Sequence, residues 1–422
     1  MDAMVLVGGR RLKGRVQANG AKNAALPIMA ASILADGPMR LRGVPDLMDI
    51  RTMMRLLVTL GVKAEREDDG TMVLEARRRT RRNRATYKIM KTMRAGVCVL
   101  GPLMARRGKA EVSLPGGCAI GDRPVDLHMK GLRSLGATLE VEHGYIVGES
   151  RRLHGAEMYL GGPFGSSVTG TANVLMAAVL AEGETVIDCA ACEPEVQDLA
   201  NVLVKMGARI SGIGSPRLLI EGVDRLTGCE HTVIPDRIEA GTLLLAGAAT
   251  GGDVTVEGAR WNDLFALVHT LREAGAEVEH SDDTIRVRAR RRLRSVDVTT
   301  LPFPGFPTDL QAQMMAALVT ADGISVITEK IFPDRFMHVA ELGRMGARIR
   351  KEGNAAVVHG VRDLSGAPVM ASDLRASAAL VIAGLVASGK TTISRVYHLD
   401  RGYERLERKL RKLGAEVGRI KE

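Results

Sequence analysis

Apolar and polar positions along this chain fall into a block that recurs six times. Its most regular mark is a glycine set between apolar residues, in LGVKAE, LGATLEVE, MGARISG, AGAEVE, MGARIRKE and LGAEVGRI. These glycines are Gly61, Gly136, Gly207, Gly275, Gly346 and Gly414, spaced by 75, 71, 68, 71 and 68 residues. Upstream of each lies an alanine-rich apolar stretch closed by a second glycine: Gly37, Gly108, Gly183, Gly251, Gly323 and Gly389. A period of this length marks repeated supersecondary units. Each block reads as a helix, a glycine stop, a short strand, a loop and a second helix. The marker turn and two strands around a tight turn follow, as in GVKAEREDDGTMVLEA. Helix and strand alternate throughout, so the predicted class is α/β.

The sixth block ends at Glu422 after one strand of its final pair. The opening MVLVGG matches the segments TMVLEA, RLLIEG and AAVVHG that finish other blocks. The N-terminal strand is therefore expected to complete the last repeat. Three blocks then form a domain over residues 22–234, and the other three, with residues 1–21, form a second over 235–422. A chain of 422 residues exceeds what one core usually serves, which agrees with two domains.

The interval between the two marker glycines is 24, 28, 24, 24, 23 and 25 residues, so the second block is the outlier. Its extra length is the loop LPGGCAIGDRP, residues 114–124, which holds Cys118 between glycines and a charged pair. A loop that departs from its siblings in this way is where function concentrates. The first helices of the blocks begin near polar residues: Lys22 and Asn23, Arg94, Ser166 and Ser167, Arg237, Asp309, and Arg375. The N–H groups and positive dipole end of a helix attract anions, and a Lys or Arg placed there disfavours the helix alone while strengthening that attraction.

Charge narrows the partner class. The net charge of +10 calls for an acidic partner, while aromatic residues make up only 3% of the chain, too few for nucleic-acid stacking platforms. A small anionic substrate is favoured over nucleic acid. No apolar run approaches a membrane span and the start lacks a signal-peptide layout, so a cytoplasmic protein is expected. Five cysteines, an odd number, read as reduced thiols. The CxxC of Cys189 and Cys192 has no second pair or spaced histidines beside it, and no metal is expected.

The segments GAKNAALP (20–27), KTMRAGV (91–97), LPGGCAIGDRPVDLH (114–128), PDRIEAGT (235–242), FPTDLQAQ (306–313), FPDRFMH (332–338), DLRASA (373–378) and HLDRGYER (398–405) together resemble the UDP-N-acetylglucosamine enolpyruvyl transferases of the EPSP synthase-like family. The resemblance runs from about residue 5 to the end. It implies two inside-out α/β barrels of three repeats each, with substrates held in the cleft between them. The implied reaction moves the enolpyruvyl group of phosphoenolpyruvate to the 3′-hydroxyl of UDP-N-acetylglucosamine, without cofactor or metal, as the first committed step of peptidoglycan precursor synthesis.

Carried over residue by residue, the resemblance implies that Lys22, Arg123 and Arg401 bind phosphoenolpyruvate with support from Arg94. Asn23 and Asp309 would contact the sugar, Asp309 taking the proton of the attacking hydroxyl. Arg375 joins this substrate-binding set. Cys118 would be the active-site thiol and the residue that fosfomycin alkylates. Arg123, Pro124, Val125, Asp126 and Leu127, with Ser167 and Val168, would hold uracil and diphosphate, and Ile331 would lie against the N-acetylglucosamine.

Three features depart from that pattern. Gly165 stands where many relatives carry a lysine near the diphosphate, and backbone N–H groups of the Gly-Ser-Ser turn could replace the charge. Two basic runs, RRRTRRNR at 77–84 and RARRRLR at 288–294, read as solvated charge between blocks, or else as an electrostatic funnel for UDP-sugar or an attachment to an acidic partner. EPSP synthase itself is disfavoured, because a Ser-Lys-Ser type segment would stand in place of GAKN and the PGGC loop would be absent.

If Lys22, Arg123 and Arg401 share one phosphoenolpyruvate, contacts made only with the domains closed supply the drive for closure. Saturating UDP-N-acetylglucosamine should therefore lower the radius of gyration in X-ray scattering, and less so in Arg123→Ala. Equal radii with and without nucleotide would remove the support for closure.

Overall fold

The computed structural model describes residues 2–77, 80–116 and 125–421. The chain divides into two compact units, one built from residues before 20 and after 234, the other from the residues between. Both contain the same three-fold arrangement. Each repeat contributes a long apolar helix that is buried nearly along its whole length, such as Lys22–Ala31, Val168–Ala178, Arg237–Ala249 and Leu374–Val386. A helix apolar on all sides has to be surrounded by protein. In the unit spanning 235–422, helices Arg237–Ala249, Gln311–Leu318 and Leu374–Val386 pack on one another at the centre. In the other, Lys22–Ala31, the segment Arg94–Arg107 and Val168–Ala178 do the same.

Around each trio lie amphipathic helices and three four-stranded sheets. Five of the six four-stranded sheets among the described residues share one strand order, a parallel edge strand, then the strand that follows the inner helix, then the two strands of the hairpin with the later one inside; in the sixth the N-terminal strand takes that inner place. In one repeat the central strands Glu184–Asp188 and Arg217–Glu221 pair antiparallel, and Arg217–Glu221 alternates exposed and buried residues. That alternation leaves one face to water while the other covers the helices. The result is helices inside and sheets outside.

Two pairings close the three-fold circles. In the unit around residues 20–234, the edge strand Glu230–Thr232 runs parallel to Met39–Arg42, so the last segment joins the first sheet. In the other, the N-terminal strand Asp2–Val7 lies between Lys390–Ser394 and Glu416–Lys421, antiparallel to both. The parallel edge strands went unread in the sequence. They are mostly two or three residues long, as in Arg84–Ala85 and Val298–Thr299, too short to display a period.

All twelve marker glycines have φ between +63° and +120°. This is backbone that other residues enter only under strain, which is why the repeat is written in glycine. A second glycine set answers to crowding. At Gly222, which ends RLLIEG, an added Cβ would fall 1.6 Å from the carbonyl oxygen of Ala181, and at Gly360, which ends AAVVHG, 1.7 Å from that of Ala321. Gly8, which ends the N-terminal strand, meets the Ala387 oxygen at 2.1 Å in the same way. Each of the three donates its N–H to a marker glycine, Gly183, Gly323 or Gly389.

Gly222→Ala should therefore cost about 2 kcal/mol or more, since the carbonyl it meets is backbone and yields only by moving a helix end. Gly418→Ala, where nothing lies within 4 Å, should change stability by less than about 0.5 kcal/mol. Urea unfolding checks both, and equal effects would refute the crowding argument.

Candidate functional site

Burial is what makes the charged starts of the inner helices informative. Lys22 is the first residue of its helix and only 7% exposed. Its Nζ donates to Asp49 Oδ2 at 3.0 Å, and Asp49 is itself buried on the neighbouring helix Met48–Thr59. A buried pair of this kind is neutral overall, and removing one partner leaves the other stranded at about 3–5 kcal/mol. Asp49 was not a sequence candidate, and nothing in MDIR distinguishes it from a helix-start acid. Asn23, next to Lys22, is exposed.

Arg94 opens the second inner segment and is half-buried. Behind it lies a polar cluster that the sequence did not announce. Asn173 Nδ2 donates to the carbonyl of Val97 at 2.9 Å and lies 2.7 Å from His128 Nδ1, while its Oδ1 accepts from the N–H of Gly101 at 2.7 Å. His128 Nε2 in turn lies 3.2 Å from Thr169 Oγ1. One asparagine thus ties the inner segment bearing Arg94 to the helix Asp126–Ser134, which carries Asp126 and Leu127, and to the helix start at Ser167 and Val168. Ser167 caps that helix, its Oγ accepting from Gly170 N–H at 3.1 Å. Val125 and Leu127 are half-buried, Asp126 and Val168 exposed. Gly165 has φ +91° in a two-residue pairing with Gly162, a conformation in which a lysine would be strained. Cys118, Arg123 and Pro124 lie outside the described residues.

In the other unit the candidates meet directly. Asp309 Oδ2 accepts from Arg375 at 2.7 Å, and its Oδ1 pairs with Arg335 at 2.8 Å. Burial opposes charge on Asp309, but Arg375 and Arg335 outweigh it and hold the carboxyl well below the usual range. Arg375 also reaches Tyr403 Oη at 3.2 Å, and that hydroxyl lies 2.9 Å from Thr242 Oγ1 and accepts from Gln313 at 3.1 Å. Gln313 donates as well to the carbonyl of Asp309, fixing the turn that carries the carboxylate. Asp236 caps the helix Arg237–Ala249 by accepting from Ile238 and Glu239 N–H groups. Arg237 faces the Phe303 ring at 5.8 Å.

Glu329 is fully buried and organises the segment bearing Ile331. It accepts from Thr300 at 2.6 Å, Thr308 at 2.8 Å, and the N–H groups of Ile331 and Phe332 at 2.8 and 3.0 Å. Thr308 accepts from Arg335, so the Ile331 loop and the Asp309 pair share one network. Arg401 is half-buried at the end of a short 3-10 turn, Val396–Arg401. Arg335, Tyr403, Thr242 and Gln313 all fall inside the quoted motifs, which was the available signal. Glu329 and Asn173 fall outside them and carry none.

A chain of two such units, with cations and one clamped carboxylate at the starts of buried helices, has the layout of the enolpyruvyl transferases. Residues 6–410 match the family EPSP synthase (3-phosphoshikimate 1-carboxyvinyltransferase), and the chain belongs to that family. It is 57% identical, over 425 residues and the full length of both chains, to the UDP-N-acetylglucosamine 1-carboxyvinyltransferase of Anaeromyxobacter sp. (strain Fw109-5). Among solved structures, the enolpyruvyl transferase NikO of Streptomyces tendae shares its fold at a TM-score of 0.88, covering 99% of each chain at 24% identity. EPSP synthase of Acinetobacter baumannii does so at 0.78, covering all of both chains at 19% identity.

The imidazole of His128 supplies a test of the Asn173 cluster. Burial, assisted by Arg94, brings its pKa down to about 4, so the folded chain keeps it neutral while the unfolded chain protonates it near 6.5. Its contribution to stability is complete above about pH 6.5 and is lost as pH falls toward 4, by about 3 kcal/mol at most. In urea unfolding at pH 7.5 and 5, His128→Gln should lose less stability on acidification than the parent. Equal losses would show that His128 is already charged or exposed.

Proposed function

We propose that this protein transfers the enolpyruvyl group of phosphoenolpyruvate to the 3′-hydroxyl of UDP-N-acetylglucosamine, releasing phosphate. The observation that carries this reading is end-to-end identity of 57% with a relative named for that reaction. The chemistry has two halves. The hydroxyl oxygen adds to C2 of phosphoenolpyruvate while C3 gains a proton, giving a tetrahedral adduct. Loss of a proton from C3 and cleavage of the C2–O bond to phosphate then restore the double bond. The first half calls for a base at the sugar hydroxyl, and both call for cations around the phosphate and carboxylate.

The residues proposed for these tasks are Lys22, Arg94, Arg123 and Arg401 for the anionic donor, Asp309 for the hydroxyl, and Cys118 as the active-site thiol. Asn23, Pro124, Val125, Asp126, Leu127, Ser167, Val168, Ile331 and Arg375 are proposed to hold the UDP-sugar. The role proposed for Asp309 carries a condition. Held by two guanidinium groups it is a weak base, so it has to be released from one of them to accept a proton. An anionic substrate that draws Arg335 or Arg375 away would raise its basicity at the moment of use. Peptidoglycan precursor synthesis is the proposed pathway. The cytoplasm is the proposed location, in keeping with free thiols at Cys98, Cys189, Cys192 and Cys229.

Phosphate release from phosphoenolpyruvate should occur with UDP-N-acetylglucosamine and not with shikimate 3-phosphate, and the reverse would overturn the reading. Asp309→Asn keeps shape but accepts no proton, so turnover should fall by roughly 100-fold or more with little change in UDP-sugar binding. Unchanged turnover would remove Asp309 from the mechanism. Cys118→Ser should abolish covalent labelling by fosfomycin, and labelling that persisted at Cys98 or Cys229 would refute the assignment of the thiol.

A further inference from the structure

The two arginine-rich runs meet different fates. In 288–294 three of the five arginines are ion-paired: Arg288 with Asp253 at 3.1 Å, Arg290 with Glu277 at 3.3 Å and Arg292 with Asp322 at 3.0 Å. In 77–84, Arg84 pairs with Glu111 at 3.0 Å, but Arg77 and Arg81 make no ion pair among the described residues and instead line a cavity of about 500 Å³. Arg106, Arg107 and Lys109 line the same cavity. The helix Leu100–Arg107 delivers the first two at its last turn, and the strand Lys109–Ser113 delivers the third at its start.

The charges around this hollow do not balance. Arg106 is bonded to Asp36, and Lys109 pairs with Glu149 at 2.7 Å, both of those side chains being well exposed. Arg107 donates to the carbonyl oxygens of Leu60, at 2.8 Å, and Arg82, and to no carboxylate among the described residues. Burial and the neighbouring Arg106 bring its pKa down to about 10, the response of a cation short of negative charge. No carboxylate lines the cavity among the described residues. Arginines at the last turn of a helix are favoured by its carbonyl end, and that accounts for Arg106 and Arg107. It does not account for Arg77 and Arg81, which arrive from a separate segment and converge on the same space.

We propose that this cavity is a second anion site, separate from the catalytic residues, that binds a phosphorylated small molecule carrying two or more negative charges. Its volume lies within the range of small-molecule sites. Its planar donors suit phosphate oxygens, and the apolar floor of Ile33 and Ala76 leaves room for an uncharged moiety. Nucleic acid fits less well, because no aromatic side chain lines the cavity among the described residues to stack on a base.

Inorganic pyrophosphate is the probe. Calorimetric titration at low ionic strength should show a site that weakens about tenfold for each arginine removed, in Arg81→Gln and then in Arg77→Gln/Arg81→Gln. Phosphate release from saturating substrates should be unchanged in these variants. Lys22→Ala should keep this pyrophosphate site, which separates it from the anion-binding residues of the catalytic set. Arg81 is exposed, so its single substitution keeps the test open if the double variant folds poorly. Pyrophosphate affinity that is absent in the parent, or the same in Arg81→Gln, would overturn the proposal. So would a single-stranded oligonucleotide or phosphatidylserine vesicles that bind more tightly than pyrophosphate and are lost in the same variants.

Discussion

A helix buried along its length can meet charge or water only at its ends, and that constraint organises both units of this protein. Each unit packs its inner helices against one another, so their flanks are mostly Ala, Leu, Val, Ile and Met, with a few buried polar residues such as Asn173 and Gln313 that bond to neighbouring elements. The polar chemistry that such a unit can hold is displaced to the helix starts, where four N–H groups are free of intrahelical partners. Lys22, Arg94, Arg237 and Arg375 stand at or beside such starts, and Ser167 and Asp236 cap them.

Placing a cation at a helix start works against the helix dipole, and burying it costs more, so each needs a stated partner. Lys22 has Asp49 and Arg375 has Asp309. These pairs hold the charges in place within each unit. The depressed pKa of Asp309 follows from this arrangement. A carboxylate kept ionised by two arginines is a weak base while both contacts hold.

The polar groups that fix these elements come from elsewhere in the chain. Asn173 binds two backbone groups of the segment bearing Arg94 and the His128 ring through one amide, and Glu329 orients the Ile331 loop by accepting from two side chains and two N–H groups. Both are buried, and an unsatisfied buried amide or carboxylate is costly, so each site is specified by complete bonding rather than by charge. In the sequence they are an ordinary asparagine in an apolar helix and a glutamate at a strand end.

The sequence by itself determined the repeat, the α/β class, the helix starts and the chemical type of the site. All of these are periodic or local. A glycine needed at φ above zero recurs at the same place in every block, and an apolar helix announces its burial without knowing its neighbours. The motifs around Asp309, Arg335, Arg375 and Tyr403 were legible as a family resemblance, but not as one network, because hydrogen bonds across 27 to 161 residues of chain leave no spacing to read. Only the tertiary structure decided that Lys22 is paired with Asp49, that Asp309 is held by two arginines, and that three arginines of one basic run find carboxylates while the other run lines a hollow. Those outcomes depend on which side chains packing brings within 3 Å of a charge, and packing is settled by the whole chain at once.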